Sequence, residues 1–401
     1  MGAVSFNRRL KNPCVGRNRY ASRHFFLKNS TIVTENAYLC RRLMDKQKLI
    51  FTNQLADDLR QTIADCRPDR LFVLVDETTQ KLCMPVIADF DCMAGAHTIV
   101  IPAGDTHKGL ESLSHVWEEL QQHGATRHSL LVNLGGGMVT DLGGFAASTF
   151  KRGIRFINIP TTLLAMVDAS VGGKTGVNFG GLKNEIGVFR NAECVIIDTQ
   201  FLRTLSTENI LSGYAEMLKH GLLDSEQHWD ALLTDSSGIS ISLGSSIPSL
   251  LPKSIAVKER IVLEDPTEQG LRKALNLGHT VGHAFESFAM EHSSLLDQPI
   301  LHGYAVAWGL VCELYLSVVK CGFPVDKMRQ TVRFIFDNYG RLPITCKDYP
   351  RLLELMTHDK KNLSASAINF TLLAGVGDIR INQTATKEEI EEALDFYREG
   401  S

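Results

Sequence analysis

Four side chains that can bind a metal ion or an anion recur at helical spacing in the segment GLRKALNLGHTVGHAFE. They stand at offsets of 0, 4, 7 and 11 along the chain: Arg272, Asn276, His279 and His283. At about 100° per residue these offsets place them on one narrow stripe of a helix. The other positions are mainly apolar, whereas a solvated helix would be mainly polar. The pattern predicts a buried helix whose polar line faces a site, with an exposed polar strip as the alternative.

Histidines at positions i and i+4 of a helix can bind one metal ion, so spacing alone suggests His279 and His283 as a ligand pair. Position 280 is Thr, where the metalloprotease signature H-E-x-x-H has Glu, so peptidase chemistry lacks its general base. A third ligand has to come from elsewhere. Glu216 in SGYAEMLKHG and His302 in an HG dipeptide have suitable chemistry, and spacing does not select between them.

A glycine-rich segment supplies candidate phosphate ligands. In VDASVGGKTGVNFGGLKN, Asp168 is followed by Lys174, Lys183 and Asn184. Flexible backbone beside lysine side chains suits a phosphate group. The segment therefore indicates an anion site.

Other lysines have simpler explanations beside the functional one. Lys219 follows Glu216 by three residues and shares its face of a helix, and an ordinary helix ion pair of this kind is worth only about 0.2–0.5 kcal/mol. Lys360 and Lys361 lie in HDKKN. For such a pair, solubility is the simpler explanation.

A glycine turn in LLVNLGGGMVTDLGG is typical of nucleotide binding. An apolar strand runs into the glycines at 135–137 and then into a helical pattern that carries Asp141, so bare backbone amides at a helix N-terminus can receive a pyrophosphate. Thr140 stands where the Rossmann signature has its third glycine, which weakens the match. Polar residues follow two other predicted strands: Asp76, Thr161 and Thr162.

Short β-rich runs alternate with helical or glycine-rich stretches between residues 44 and 205, which favours a parallel α/β sheet. The runs are 71–75, 97–101, 130–134 and 156–159. From residue 206 onward helical patterns dominate, and Ser206 or Thr207 can cap the first helix with Glu208 in its first turn. Residues 236–254 are rich in Ser, Gly and Pro and are predicted to form a loop.

The composition bounds the class of protein. The 401 residues are 44% hydrophobic and 22% charged, with a net charge of -3, so the chain has no overall basic field for nucleic acid or anionic lipid. Its nine cysteines are scattered without a CxxC pair, which is typical of reduced thiols inside the cell. The longest apolar run, 305–323, contains Glu313 and Lys320 and suits a buried core helix. We expect a cytoplasmic protein that binds small molecules.

Residues 1–43 differ from the rest, with nine Lys or Arg and one acid. Such a composition occurs in organellar transit segments. Met44, however, opens a sequence that at once looks like a domain. We therefore favour a misassigned start or a disordered tail for residues 1–43.

Six segments together resemble the 3-dehydroquinate synthase family: GGGMVTDLGG, IPTTLLAMVDASVGGKTGVNFGGLKNEIG, SGYAEMLKHG, LNLGHTVGHAFE, HGYAVAWG and HDKKN. The likeness runs from about Met44 to the C-terminus in the family's order and spacing. It implies an α/β fold with a Rossmann-like parallel-sheet domain at 44–205 and an all-α domain at 206–401. It also implies a site in the cleft between them and a homodimer.

The resemblance also implies the residues of the site. It assigns the metal, zinc or cobalt, to Glu216, His279 and His302, which replaces the pair suggested by spacing, and His283 becomes a substrate-side or proton-relay residue. The residues implied for NAD are Asp76, Asp105, Lys108, Gly136, Gly137, Asp141, Thr161, Thr162, Lys174, Lys183, Phe201 and Thr204. Those implied for the substrate are Asp168, Lys174, Asn184, Lys219, Lys258, Arg272, Asn276, His283, Lys360 and Lys361, with Arg152 reaching in from the partner subunit.

The reaction that the resemblance implies converts 3-deoxy-D-arabino-heptulosonate 7-phosphate to 3-dehydroquinate and phosphate, in the shikimate pathway of aromatic amino-acid biosynthesis. It proceeds by transient oxidation with NAD at a metal-bound hydroxyl, phosphate elimination, return of the hydride and aldol closure. Lys174, Asn184 and Arg152 suit the phosphate, and Lys258 and Arg272 suit the carboxylate.

Three features depart from the family pattern. Asp105 replaces the usual Glu, Tyr304 follows HG where Glu is frequent, and GVNFGG is similar to sister cyclases that make valiolone-type products. Asn276 and His283 agree with the dehydroquinate pattern. The alternatives are such a sister cyclase, a metal-dependent NAD polyol dehydrogenase, which would release NADH, and a non-catalytic relative.

Overall fold

The computed structural model of the chain describes residues 46–234, 247–292, 300–357 and 368–400. Several sequence predictions lie outside these residues. They concern the segment at 1–43, Lys360 and Lys361, and the first part of the loop predicted at 236–254.

Eight strands and five helices form the first half of the described chain. The strands are β1 (Leu49–Phe51), β2 (Leu71–Asp76), β3 (His97–Ile101), β4 (Leu130–Gly135), β5 (Arg155–Pro160), β6 (Lys174–Phe179), β7 (Leu182–Phe189) and β8 (Cys194–Ile197). The helices are α1 (Leu55–Cys66), α2 (Glu77–Leu82), α3 (Met84–Ile87), α4 (Leu110–Gln122) and α5 (Gly137–Thr149).

Six of these strands make one parallel sheet in the order β1-β8-β5-β4-β2-β3, within the part of the chain that the structure describes. It contains all four strands predicted from β-rich runs. β2 and β4 are buried along almost their whole length, as expected for apolar runs in a parallel sheet that is covered on both faces.

The winding of the sheet reverses between β2 and β4. The chain passes from β2 to the edge strand β3 and then returns to β4 on the other side of β2. Ligands bind at the carboxyl ends of strands at such a switch point. Asp76 ends β2, Gly135 ends β4, and Thr161, directly after β5, donates its N–H to Gly135 O at 3.0 Å. The three strand ends selected from the sequence therefore lie side by side.

Helices dominate from residue 207, as predicted, and the fold class is confirmed. They are α6 (Thr207–Asp224), α7 (Glu226–Thr234), α8 (Ile247–Glu264), α9 (His279–Glu291), α10 (His302–Cys321), α11 (Val325–Tyr339), α12 (Tyr349–Thr357) and α13 (Lys387–Glu399). The Oγ of Ser206 caps α6 by accepting the N–H of Asn209 at 3.3 Å. The domain boundary near residue 206 stays a prediction.

Two antiparallel hairpins were not predicted. One joins β6 to β7 within the glycine-rich segment. The other joins β9 (Ile368–Gly375) to β10 (Asp378–Ala385) within the helical half. Periodicity alone does not distinguish a short apolar run such as INFTLLAG from a buried helix segment.

Helix α10 is the one helix in the described residues long and apolar enough to cross a membrane by length and composition, and most of that apolar stretch is buried inside the protein. This agrees with the core helix predicted at 305–323.

The single helix predicted across residues 272–283 is wrong. Leu271–Asn276 forms a 3-10 turn, and Gly278, with φ of +79°, adopts a left-handed conformation before α9 begins. A left-handed residue cannot continue a right-handed helix, and glycine adopts that conformation without steric cost. Only His279 and His283 therefore share a helix.

The prediction of a loop at 236–254 is also wrong for residues 247–254, because α8 begins at Ile247. Ile247, Leu251 and Ile255 are buried at intervals of four residues, so their packing outweighs the Ser and Pro residues between them.

Candidate active site

The three side chains that the resemblance assigns to a metal lie together. Glu216 is on α6, His279 is the first residue of α9, and His302 is the first residue of α10. Glu216 Oε1 lies 3.5 Å from His279 Nε2 and 3.7 Å from His302 Nε2. One ligand atom from each residue comes within 4.8 Å of the other two. Three helices thus deliver one candidate ligand each to a common point.

This geometry fits a tetrahedral metal ion. Zinc bonds of about 2.0–2.1 Å at tetrahedral angles separate two ligand atoms by about 3.4 Å. Glu216 is fully buried, and Lys219 forms an ion pair with its Oε2. Its Oε1 accepts no hydrogen bond from the described residues, so this buried oxygen still has room for a positive ligand partner. Three protein ligands also leave a fourth position for a substrate oxygen, as in catalytic zinc sites.

Contacts behind the two imidazoles orient them toward Glu216. His279 Nδ1 lies 3.1 Å from Leu277 O, and His302 Nδ1 lies 3.5 Å from Glu286 Oε2. Such contacts fix the rings and direct Nε2 to the metal position. Burial alone would lower the pKa of His302, but the neighbouring carboxylates of Glu216 and Glu286 raise it to about 10. The two carboxylates therefore favour a positive charge at this point.

His283 lies beside this group rather than in it. Its ring centroid is 5.4 Å from that of His279 and 6.0 Å from that of His302. Glu216, His279 and His302 thus bring ligand atoms close together, and His283 lies next to them. The assignment of the metal to these three residues stays a prediction.

Two buried lysines contact the acids of the site. Lys219 on α6 forms an ion pair with Glu216, and Lys258 on α8 donates to the backbone O and Oδ1 of Asp168 at 2.5 and 2.6 Å. Burial alone would raise the pKa of Asp168, but Lys258 and Lys219 hold it well below its usual range. Burial lowers the pKa of Lys258. Asp168 lies in a π-helical turn, Ala165–Ala169, a rare conformation that often marks functional sites.

Lys174 has an acidic partner that the sequence analysis missed. Lys174 begins β6, leaves 52% of its side chain exposed, and forms an ion pair with Glu268. Asn276 Nδ2 donates to the other oxygen of Glu268 at 3.3 Å. Glu268 has φ of +61°, an unfavourable conformation for a residue with a side chain. Its sequence context, a polar turn, did not distinguish it from a surface acid.

Arg272 is only 1% exposed, and its guanidinium group donates hydrogen bonds to backbone carbonyls. Its Nη1 donates to Pro266 O at 2.7 Å and its Nη2 to Gly172 O at 3.0 Å. The N–H of Gly172 in turn donates to Gln47 Oε1 at 3.0 Å. Arg272 therefore holds the loop that precedes Lys174, and its predicted contact with the substrate carboxylate stays a prediction.

The glycine turn after β4 is kept free of side chains. A Cβ on Gly136 would lie 3.1 Å from Thr162, and one on Gly137 would lie 3.1 Å from Ala169. Gly136 precedes α5, so bare amides occupy a helix N-terminus at the switch point, which suits a pyrophosphate. Asp76, at the end of β2, uses its Oδ1 to cap α2, accepting the N–H groups of the two residues after Glu77.

Polar contacts tie the glycine-rich hairpin to the nucleotide end. Lys108 Nζ donates to Asp141 Oδ2 and to Asn184 Oδ1, both at 2.5 Å. Burial raises the pKa of Asp141, and Lys108 opposes that rise. Lys183 Nζ lies 3.1 Å from Asp105 Oδ2 and donates to Glu286 Oε1 at 2.8 Å.

Lys183 therefore joins the two halves of the site. Burial alone would lower its pKa, but Glu286 and Asp105 raise it. Glu286 also contacts His302, which faces Glu216. A continuous chain of charges thus runs from the loop of Asp105 to the metal group. Glu286 could not be selected from the sequence, because an acid on a helix otherwise suggests a solvated face.

The other residues predicted for NAD or for the partner's site make few contacts within the described residues that bear on these roles. Phe201 is fully buried, and Thr204 donates to its carbonyl at 2.7 Å within their own helical turn. Arg152 is exposed with φ of +69°. It has no ion pair among residues 46–400 that the structure describes, which leaves it available to a neighbouring molecule.

His220, next to Lys219, was also missed. Its ring is fully buried, and neither nitrogen has a hydrogen-bond partner in the described part of the chain. Burial and the charge of Lys219 lower its pKa to about 3. His220 is therefore neutral beside the acids of the site.

A second group of possible metal ligands lies at the edge of the sheet: His97, Glu119 and His123. His97 Nε2 already contacts Glu119 Oε2 at 2.8 Å, and His123 Nδ1 lies 3.0 Å from Glu119 O. The two rings stack with centroids 3.5 Å apart. His123 Nδ1 also lies 3.5 Å from Glu119 Oε2, so Glu119 already has contacts with both rings. Because none of the three residues is buried, we interpret this group as a hydrogen-bonded surface cluster.

The fold and site together define a class. The site combines bare helix-terminal amides at a switch point, a group of two histidines and a glutamate, and buried lysines. These features are typical of an α/β enzyme that brings a dinucleotide and a metal to an anionic substrate. Solved structures share the fold. A 2-epi-5-epi-valiolone synthase from Streptomyces hygroscopicus, with NAD+ and Zn2+ bound, has a TM-score of 0.77 at 25% identity and covers 89% of this chain and 98% of its own. A 2-deoxy-scyllo-inosose synthase complexed with carbaglucose-6-phosphate, NAD+ and Co2+ has a TM-score of 0.75 at 23% identity and covers 88% and 96%.

The sequence comparisons give the particular family. The N-terminal model of 3-dehydroquinate synthase matches residues 98–212, and the C-terminal model matches residues 213–362. A 3-dehydroquinate synthase from Parabacteroides distasonis is 56% identical over 357 residues, which cover 89% of this chain and 99% of the relative. The chain belongs to the 3-dehydroquinate synthase family.

Proposed function

We propose that this chain is an enzyme that converts 3-deoxy-D-arabino-heptulosonate 7-phosphate to 3-dehydroquinate and phosphate. The observation that carries the proposal is the convergence of Glu216, His279 and His302 beside buried lysines and a nucleotide-type switch point. The 56% identity to a 3-dehydroquinate synthase supports this substrate over that of a valiolone-type cyclase.

NAD and zinc or cobalt are the cofactors that we propose. The ligand spacing near 3.5 Å and the buried Oε1 of Glu216 support the metal, and the glycine turn supports NAD. When bound, NAD would take and return a hydride at a substrate carbinol whose oxygen the metal polarises.

The protein side chains then have separate tasks. Lys174 and Asn184 lie on the two strands of one hairpin, and they are the residues of this chain that we propose for the phosphate. Lys258 and Arg272 are the cations proposed for the substrate carboxylate. His283 lies one turn after His279 and can carry a proton to or from the reacting oxygens.

The activity is tested with the purified protein, NAD, Zn2+ and the heptulosonate phosphate. We expect 3-dehydroquinate and phosphate to form in equal amounts without net accumulation of NADH. Accumulation of NADH would indicate a polyol dehydrogenase. Turnover of a different sugar phosphate would indicate a sister cyclase, and binding of NAD and Zn2+ without any turnover would indicate a non-catalytic relative.

Replacing Lys174 with Ala tests the phosphate site. A charge-assisted hydrogen bond is worth about 1.5–3 kcal/mol, so kcat/KM should fall about 10- to 100-fold. Lys174 is half exposed, so the variant should fold normally. Lys46→Ala is the matched control, because Lys46 is an exposed lysine paired with Glu259 at 3.4 Å. An unchanged kcat/KM for Lys174→Ala would exclude this lysine from the phosphate site.

A homodimer is also proposed, and the β6–β7 hairpin supports it. Five apolar side chains are exposed along this hairpin, although soluble proteins rarely expose such a group without a partner: Phe179, Leu182, Ile186, Val188 and Phe189. β7 is also an edge strand of a two-stranded sheet in the described residues, and an edge strand can pair with another chain. A second copy of the chain would cover both features.

If Arg152 acts in the partner's site, two inactive variants should complement each other. In a mixed dimer, the site of the Arg152→Ala subunit keeps its own Lys258 and receives Arg152 from the Lys258→Met subunit. The other site lacks both residues. Random mixing should restore about a quarter of the sites, because half of the dimers are mixed and each has one intact site. Activity that stays absent after subunit exchange, with mixed dimers confirmed by native mass spectrometry, would contradict this role of Arg152.

We propose the cytoplasm as the compartment and a small sugar phosphate as the partner, with no nucleic acid or membrane. The near-neutral charge and the nine scattered cysteines support this assignment.

A further inference from the structure

The carboxylate of Glu313 lies at the N-terminus of α9, although Glu313 belongs to α10. Its Oε2 accepts the N–H of Gly278 at 2.6 Å, and its Oε1 accepts those of Thr280 and Val281 at 3.0 and 3.2 Å. Glu313 is completely buried. Its three donors flank His279, the first residue of α9.

Helix α9 has no side-chain cap of its own. The first N–H groups of any helix lack partners inside the helix, and a Ser, Thr, Asp or Asn before the helix commonly accepts them. Here Gly278 occupies that position and offers no side chain. The acceptor for the buried amides therefore comes from another helix.

The two helices are in close backbone contact at this point. A Cβ on Gly309 would lie 2.0 Å from Gly278 O, and one on Gly282 would lie 2.9 Å from Ala305 O. Gly309 precedes Glu313 by about one turn. The start of α9 thus has little freedom to move relative to α10, as long as the contact with Glu313 is kept.

Helix α10 also carries His302 at its first residue. The helix that presents one histidine to the metal group therefore fixes the backbone of the other, His279. A ligand that shifts by a fraction of an ångström loses much of its bond to a metal, since bond lengths are held within about 0.2 Å.

We propose that Glu313 is a positioning residue of the metal site, which holds His279 at the correct distance from His302 and Glu216. This inference rests on the proposed function as a metal-dependent enzyme. Glu313 itself touches neither metal nor substrate.

The test is Glu313→Gln, which keeps the size of the side chain and replaces one acceptor oxygen by an NH2 group. That group would face backbone N–H donors, so the start of α9 should shift. We expect the Kd for Zn2+, measured by competition with a chelator, to rise about 10- to 100-fold, the range seen for residues that support metal ligands. The Kd for NAD should change less than twofold.

Ser317→Ala is the matched control. Ser317 is one turn further along α10 and equally buried, and its Oγ accepts the N–H of Leu373 on β9 at 3.0 Å. Its Oγ also donates to Glu313 O at 2.7 Å within α10, but it makes no hydrogen bond to α9 in the described part of the chain. Ser317→Ala should therefore alter thermal stability without altering the Kd for Zn2+. If Glu313→Gln does not fold, Glu313→Asp is judged by the same criterion.

The outcomes separate the inference from the function. Wild-type Zn2+ affinity in Glu313→Gln, or the same loss in Ser317→Ala, would overturn the role of Glu313 alone. A wild-type protein that binds no Zn2+ would overturn both the inference and the proposed metal function.

Discussion

Replacing His279 with Ala should abolish metal retention and turnover together. The change removes one of the three proposed ligands, and Glu216 and His302 alone would provide too few donors for a tetrahedral ion. The metal supplies several kcal/mol of transition-state stabilisation. We therefore expect kcat/KM to fall by at least about 10³-fold, with less than a tenth of the wild-type zinc by mass spectrometry of metals.

The matched control is His292→Ala. His292 lies just after α9, and its Nδ1 lies 2.9 Å from Phe288 O, so it caps the end of the same helix. It should keep wild-type zinc and activity. A His279→Ala protein that retains stoichiometric zinc would remove His279 from the site, and one that loses zinc but keeps turnover would remove the metal from the reaction.

The metal group could be selected only in part from the sequence. Helical spacing identified His279 and His283, because both lie on α9. It could not select Glu216 and His302, which lie on the separate helices α6 and α10. Family resemblance selected them. The structure shows the physical reason, since the buried faces of three helices meet at that point.

The sequence pattern selected a segment that contributes to the site, but the single helix predicted across residues 272–283 is wrong. Arg272 and Asn276 lie on a 3-10 turn that Gly278 separates from α9. The turn still lies at the site, because Lys219 Nζ donates to Leu275 O at 2.9 Å. Spacing detected that the segment is buried around polar groups. It could not detect the left-handed glycine, since glycine is compatible with both a helix and its end.

The acids that were missed have partners in distant segments of the chain. Glu286 is paired with Lys183, Glu268 with Lys174 and Glu313 with the start of α9. A lone acid in a sequence is most often a surface residue. Their roles depend on burial and on the partner, and neither is encoded in local spacing.

Replacing Lys108 with Met should destabilise the protein even in the absence of any ligand. Lys108 is 4% exposed and its Nζ is the cation beside Asp141. Removing one member of a buried ion pair costs about 3–5 kcal/mol. We expect about 3 kcal/mol, the lower end of that range, because 17% of the Asp141 side chain is exposed. Chemical denaturation measures the free energy of unfolding.

The loss should depend on pH in a defined direction. Burial raises the pKa of Asp141 and Lys108 opposes this rise, so the folded Lys108→Met protein holds a proton on Asp141 at higher pH than the unfolded chain does. When the folded state binds more protons, the free energy of unfolding falls as pH rises. The deficit relative to wild type should therefore be smaller at pH 5 than at pH 8.

Two further variants distinguish the loss of the Lys108–Asp141 ion pair from a nonspecific loss of stability. Lys108→Met combined with Asp141→Asn removes the uncompensated charge and should regain much of the lost stability, because an unpaired buried charge costs more than a neutral amide. Lys48→Met removes a half-exposed lysine 3.8 Å from Asp65 and should cost less than about 1 kcal/mol. If the double variant were as unstable as Lys108→Met at both pH values, the loss would come from the packing of the Lys108 side chain, and Asp141 would not be the group that Lys108 stabilises.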